Sequence, residues 1–373
     1  MKYLPFTLLL AVYLFSCNMQ EPIEPDPSEE EDPKEELQYY FPPTSGNEWE
    51  STSTNELEWN EEKLQELYTY LENQNTRAFI VLKEGKMVVE KYWGRTITDD
   101  ADFGPTSNWY WASAGKSLTA LNVGIAQEEG LLDINQPSST YLGNNWTNLT
   151  REEEDKITVW NQLTMTTGLD YEVSDLDCTE PSCLNFKAEP GTQWFYHNGP
   201  YTLLEKVVSQ ASGLTYNAFT NNRVEEKVGM NGAWISSGYN NVYWSTARDA
   251  ARFGLLILNE GRWENEAILQ DSSYFQAMVN SSQELNPAYG YLWWLNGKSS
   301  VILPGLPTGY NIAVAPKAPS DLFAAMGKNG QIIDVVPSQD LVVVRMGNAP
   351  ENSLVPIIFH NDMWEILSGA MNL

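Results

Sequence analysis

The chain of 373 residues carries 50 acidic against 22 basic side chains, a formal net charge of −28, with three cysteines and two histidines. It is long enough for two domains of about 150 residues each, or for one large domain with an insertion. Nucleic acid is excluded as a partner because counterion release needs clustered Lys and Arg that the sequence lacks, a three-histidine zinc centre cannot be assembled from His197 and His360 alone, and a nucleophilic serine would need a base other than imidazole.

Met1 and Lys2 precede a mostly apolar run from Leu4 to Phe15. The run is too short to span a bilayer, so residues 1–16 read as a signal peptide rather than a transmembrane helix. Leu14, Phe15, Ser16 and Cys17 resemble a bacterial lipobox. In that reading Cys17 is lipidated and anchors an exported, periplasmic or cell-surface chain to a membrane; the alternative is an ordinary secretory signal with an incidental cysteine. Residues 21–36 hold nine acids, one lysine and four prolines without apolar periodicity. Composition therefore assigns residues 17–45 to a self-repelling tether and 46–373 to the folded domain.

From Asn60 to Leu71 the apolar residues Leu64, Leu67, Tyr68 and Leu71 recur at helical spacing. Strands are expected at Ala78–Leu82 and Met87–Trp93, reversed at Gly85, then helices over Leu118–Gln127, Tyr201–Ser209 and Thr246–Leu258. Three further strands fall at Leu322–Met326, Gln331–Val336 and Leu341–Met346, and His360 is a structural residue of a C-terminal helix. Cys178 and Cys183 are close enough in an exported chain to pin a loop by a disulfide, free thiols being the alternative. Strands at both ends and helices between predict an α+β architecture: one antiparallel sheet of N- and C-terminal strands flanked by helices, with a mainly helical region inserted.

Two motifs could carry chemistry. In Ser113, Ala114, Gly115, Lys116 the serine lies in the first turn of a helix, where free amides and the helix dipole favour a developing anion. A lysine three residues on shares its face and, if desolvated, serves as a neutral base. Tyr196, His197, Asn198 offers a tyrosine whose phenolate, stabilised by a nearby lysine, can serve as a general base, and an amide that can hydrogen-bond both that lysine and a substrate carbonyl. A buried tyrosine followed by a turn at Asn198 and Gly199 is the plainer reading of this second motif.

The order of these segments is similar to that of the serine β-lactamase-related hydrolases, which share the β-lactamase/transpeptidase-like fold of class C β-lactamases, D-alanyl-D-alanine carboxypeptidases, certain esterases and 6-aminohexanoate-dimer hydrolases. The likeness runs from about Arg77 to Arg345. It rests on Trp111–Ser117, on Leu163–Leu169, on Pro190–Thr192 leading to Tyr196–Asn198, on Ser245–Asp249, and on Tyr289–Tyr291 with Trp293 and Trp294. The resemblance implies an acyl-enzyme on Ser113, with Lys116 and Tyr196 sharing base and acid roles and Asn198 holding substrate and lysine. It implies no cofactor and no metal. His197, beside Tyr196, is not the expected base.

The family's third motif, a Lys or His shortly before a Gly on a strand, is replaced here by Leu322 to Gln331 with no cation in the matching place. A main-chain amide at Ala325 can still complete an oxyanion hole with that of Ser113, Gly327 lies at the same strand end, and Lys328 is the nearest cation. Recognition of a β-lactam carboxylate is what this departure weakens. Trp111 and Tyr243 are further expected cleft residues, core packing being the alternative for the tryptophans. The sequence thus predicts a serine hydrolase cleaving an ester or amide of a small-molecule or peptide-like substrate. A β-lactamase or D-alanyl-D-alanine carboxypeptidase, and a catalytically silent ligand-binding lipoprotein, are the alternatives.

Overall fold

The computed structural model describes Met1 and residues 39–350 and 355–373. The signal peptide, Cys17 and the tether as far as residue 38 lie outside the described residues.

Six antiparallel strands form the main sheet in the order Lys86–Tyr92, Thr76–Lys83, Leu341–Gly347, Gln331–Val336, Phe323–Gly327, Trp294–Leu295. Both chain ends meet at its centre, where Ile80 faces Val344 and Val81 faces Val343. These central strands are buried on both faces, as their nearly unbroken apolar runs require. Strand alternation sends Asp334 and Arg345 toward the C-terminal helix Ile357–Met371, which packs beside the helix Glu61–Asn73. Ile333 and Val342 point the other way, against Gly254 of the helix Ala247–Leu258. A Cβ at Gly254 would press into Val342, so glycine sets the close approach of that helix to the sheet.

Each expected strand is present within two residues of its predicted ends. The helix Ala247–Leu258 begins where Thr246 and Asp249 form a reciprocal capping box, which satisfies two otherwise orphaned amides. The helix containing Tyr201 runs from Asn198 to Ser212, three residues earlier than its apolar pattern, because Pro200 in the first turn loses no intrahelical hydrogen bond. It stops at Gly213, left-handed with φ 71°.

Three features were not legible as elements. A second antiparallel sheet joins Trp109–Tyr110, Asn240–Ser245 and Ala233–Ser237, its strands too short and too polar to give a period-two signal. A two-residue strand, Trp294–Leu295, closes the edge of the main sheet only as far as Ala324. Packing also begins at Tyr39, inside the stretch that composition gives to the tether: Tyr39 Oη donates to Asp340, Phe41 meets Trp263 edge-on, and Arg252 donates to the carbonyls of Pro42 and Pro43.

Candidate active site

Ser113 stands in a 3-10 turn, Ala112–Ala114, that runs directly into the helix Gly115–Glu128. Ala112, just before it, has φ 48°, an unfavourable angle for a residue with a Cβ, so the surrounding packing must hold the serine's turn. That helix is buried from Gly115 to Ala126, so the turn that carries Ser113 runs directly into a core element. On its other side lies the strand Phe323–Gly327, whose edge beyond Ala324 has no strand partner among the described residues. A Cβ built on Gly327 would stand 3.0 Å from the Ser113 amide and crowd the Trp111 carbonyl, so only glycine admits this approach.

The spacing of Ser113 and Lys116 gives the expected contact: Lys116 Nζ donates to Ser113 Oγ at 3.3 Å. Tyr196 arrives from a different part of the chain and also hydrogen-bonds Ser113. Its ring is clamped by Trp294, stacked at 5.9 Å with an interplanar angle of 17°. Lys116 Nζ lies 3.9 Å from the centroid of the Tyr201 ring and 5.1 Å from that of Tyr196.

Burial sets the protonation states. Lys116 is pushed down to about 7, chiefly by burial, with Asp177 and Glu205 pulling the other way. Tyr196 is pushed up by burial, only partly offset by its bond to Ser113, so its phenol keeps its proton. A neutral amine and a protonated phenol therefore converge on one hydroxyl near neutral pH. His197 is buried and lowered to about 4 by desolvation, hence neutral, and its ring packs at the start of the helix Asn198–Ser212 outside the cavity lining. His360 Nε2 meets Asp334 within the core, in the C-terminal helix expected for it.

Ser113, Lys116, Tyr196, Asn198 and Lys328 line a common cavity of about 510 Å³. Asn198 directs its Nδ2 to Asp177 at 2.7 Å, leaving Oδ1 buried without a partner. Trp111 and Tyr243 differ from expectation. Both are fully buried, and neither lines the cavity. Trp111 donates to Ser245 Oγ at 2.9 Å, Tyr243 donates to Glu225 at 2.8 Å, and their rings pack edge-to-face, so they brace the Ser113 turn from outside the cavity. Ala325 is paired with Ile333 two residues from the site; Gly327 is the strand residue against Ser113, and Lys328 after it enters the cavity wall.

Sequence reasoning missed the loop Val173–Asp177, which forms one wall, together with Tyr201, Asn240, Asn241, Pro304 and Gly305. The wall is tied down by the Cys178–Cys183 disulfide and by the Gly199 amide donating to the Leu176 carbonyl at 2.8 Å. A signal existed for Tyr201: Asn198 and Tyr201 are three apart on one helix, and so face the same way. Nothing local marked the loop.

Comparison with known proteins agrees with the geometry. The Beta-lactamase family profile matches residues 72–356. An uncharacterized protein of Alkalihalophilus pseudofirmus is 25% identical over 310 residues, 73% of this chain and 83% of its own length. Among solved structures, one titled as a 6-aminohexanoate-dimer hydrolase from Bacillus anthracis superposes with a TM-score of 0.66 at 19% identity, covering 87% of this chain and 88% of that one. A penicillin-binding protein homologue from Caulobacter crescentus gives 0.64 at 14% identity, covering 83% and 97%; at such identities the likeness is one of fold. With the family profile spanning most of the folded domain, the chain belongs to the Beta-lactamase family of serine hydrolases, with the β-lactamase/transpeptidase-like fold.

Proposed function

We propose that the protein is an exported hydrolase that cleaves an ester or amide through an acyl-enzyme on Ser113. The observation that carries this reading is the convergence of a desolvated Lys116 and a protonated Tyr196 on Ser113 Oγ at the floor of an open cavity. Neutral Lys116 takes the hydroxyl proton as Oγ attacks the carbonyl carbon, and the negative charge moves to the carbonyl oxygen. Main-chain amides at Ser113 and at the strand end Gly327–Lys328 are suited to receive it, since a backbone donor does not depend on side-chain identity. Tyr196 donates toward the leaving group and is reprotonated by the Lys116 ammonium. Water repeats the sequence on the acyl-enzyme. The buried, unpartnered Oδ1 of Asn198 supports a role as acceptor for that ammonium or for a substrate N–H.

One observation favours a second reading, in which the substrate carries a carboxylate as penicillins do: Lys328 lines the cavity and supplies a cation that the strand itself lacks. Attachment to a membrane through a lipid on Cys17 belongs to the same proposal and rests on the N-terminal sequence alone. Paired labelling of the wild type and Ser113→Ala with a fluorophosphonate and a fluorescent penicillin tests both readings. Fluorophosphonate labelling lost in Ser113→Ala supports the nucleophile, and penicillin labelling that turns over promotes the second reading. A wild type that takes up neither probe overturns the mechanism.

A further inference from the structure

One buried carboxyl group near the cavity has no part in the mechanism above. We infer that Glu205 is a positioning residue of the site, an acidic group seated behind Lys116 that balances the ammonium formed when the Ser113 proton is taken. The inference rests on the reading of Ser113 as nucleophile.

Glu205 is on the helix Asn198–Ser212, four residues after Tyr201 and seven after Asn198, on the stripe that faces the site. It is 7% exposed, and an acidic side chain buried to that extent is rarely left without a cation. Its Oε2 accepts from Asn241 Nδ2 at 2.7 Å, and Asn241 is itself in the cavity wall. Its Oε1 is buried without a hydrogen-bond partner. The cation that acts on it is Lys116, and it acts on Lys116 in return, through space rather than through a direct ion pair.

The groups around the two come from several parts of the chain. Tyr196 lies just before the helix that carries Tyr201 and Glu205, Tyr216 is on the helix Tyr216–Thr220, Asp177 directly precedes the Cys178–Cys183 disulfide, and Lys328 lines the same cavity. Burial keeps the three tyrosines protonated, so they add no charge near neutral pH. Desolvation raises Glu205 to about 8 and lowers Lys116 to about 7, so the two titrate over the same range and as a unit. In the acylation step the Ser113 O–H bond breaks, the Oγ–carbon bond forms, and the proton moves to Lys116. Above that range, where Glu205 is ionised, its carboxylate lowers the cost of that new charge inside the protein.

The test is the pH dependence of fluorophosphonate labelling in Glu205→Gln, which preserves shape and an acceptor for Asn241. The wild type shows a two-step rise belonging to the pair. In the Gln variant we expect one step, its midpoint lower by roughly one pH unit and its plateau about tenfold slower, because Lys116 loses the charge that holds its proton. Glu205→Asp retains the charge and restores the two-step profile. A Gln profile superimposable on the wild type, whatever its thermal stability, overturns the inference. If the Gln variant does not fold, Glu205→Asp decides, and a single step at the wild-type midpoint overturns it. Labelling that persists in Ser113→Ala would instead count against the nucleophile, which separates the two failures.

Discussion

Two buried polar clusters in this protein have opposite electrostatic characters. Between the sheet and the C-terminal helix, Asp334 has both carboxylate oxygens engaged: His360 Nε2 lies 3.0 Å from one and 2.8 Å from the other, and Trp364 Nε1 donates to the second at 2.7 Å. Around Ser113 the accounting is left open. Lys116 has one long hydrogen bond, Asn198 Oδ1 and Glu205 Oε1 have none, and Ala112 holds a strained φ. A satisfied buried acid fastens a helix to a sheet. An unsatisfied buried base stays neutral and reactive, and its desolvation is a cost that the rest of the fold must offset.

The sharpest way to break this contrast is at Lys116. Lys116→Met should reduce the labelling rate by about three to four orders of magnitude, as loss of a base that activates a nucleophile does, while the melting temperature holds or rises because a buried amine is replaced by an apolar chain. A marked fall in melting temperature would place Lys116 with the structural cluster instead. The mirror experiment is Asp334→Ala, which strands His360 and Trp364 and should destabilise by about 3–5 kcal/mol in chemical denaturation. Labelling per folded molecule should be unchanged.

A smaller effect sharpens the protonation side of the comparison. Because Lys116 is held near 7 rather than 10.5, the competent neutral amine accumulates as pH rises. Labelling should therefore fall as pH drops through that range, in the two steps of the Lys116–Glu205 pair, and level off above it. A midpoint near 10 would show that burial does not act on this lysine. Smallest of all is the loop wall: replacing Cys178 and Cys183 by serine should cost about 2 kcal/mol through a short loop. It should also raise KM several-fold more than it lowers kcat, since the loop shapes the cavity without touching Ser113. Equal losses in both would mean that the loop acts on the chemical step.

How much could be read in advance follows the range of the forces involved. Five of the six main-sheet strands and the helix at Thr246 were legible because side-chain period and capping are local. The contact between Ser113 and Lys116 was legible for the same reason, as was the short Cys178–Cys183 loop. Trp111 and Tyr243 were misplaced because an aromatic near a nucleophile fits a cavity wall or its support equally well, and only packing against Ser245 and Glu225 chose support. The shift from Ala325 to Gly327 is a matter of which residue of one strand meets the Ser113 turn. No pattern within that strand records it.

The sequence by itself determined the five longer strands of the main sheet and the longer helices, the lysine one helical turn from the serine, the closeness of the two cysteines, and a histidine supply too small for a three-histidine metal centre. Only the tertiary structure decided that Tyr196, some eighty residues on, shares Ser113 with Lys116, and that a disulfide loop walls the cavity. It also decided that Glu205 is buried with one carboxylate oxygen left without a hydrogen-bond partner. The reason is physical: spacing along the chain fixes which side chains share a face, but a pKa depends on what excludes water around a group, and that is a property of elements brought together from across the chain.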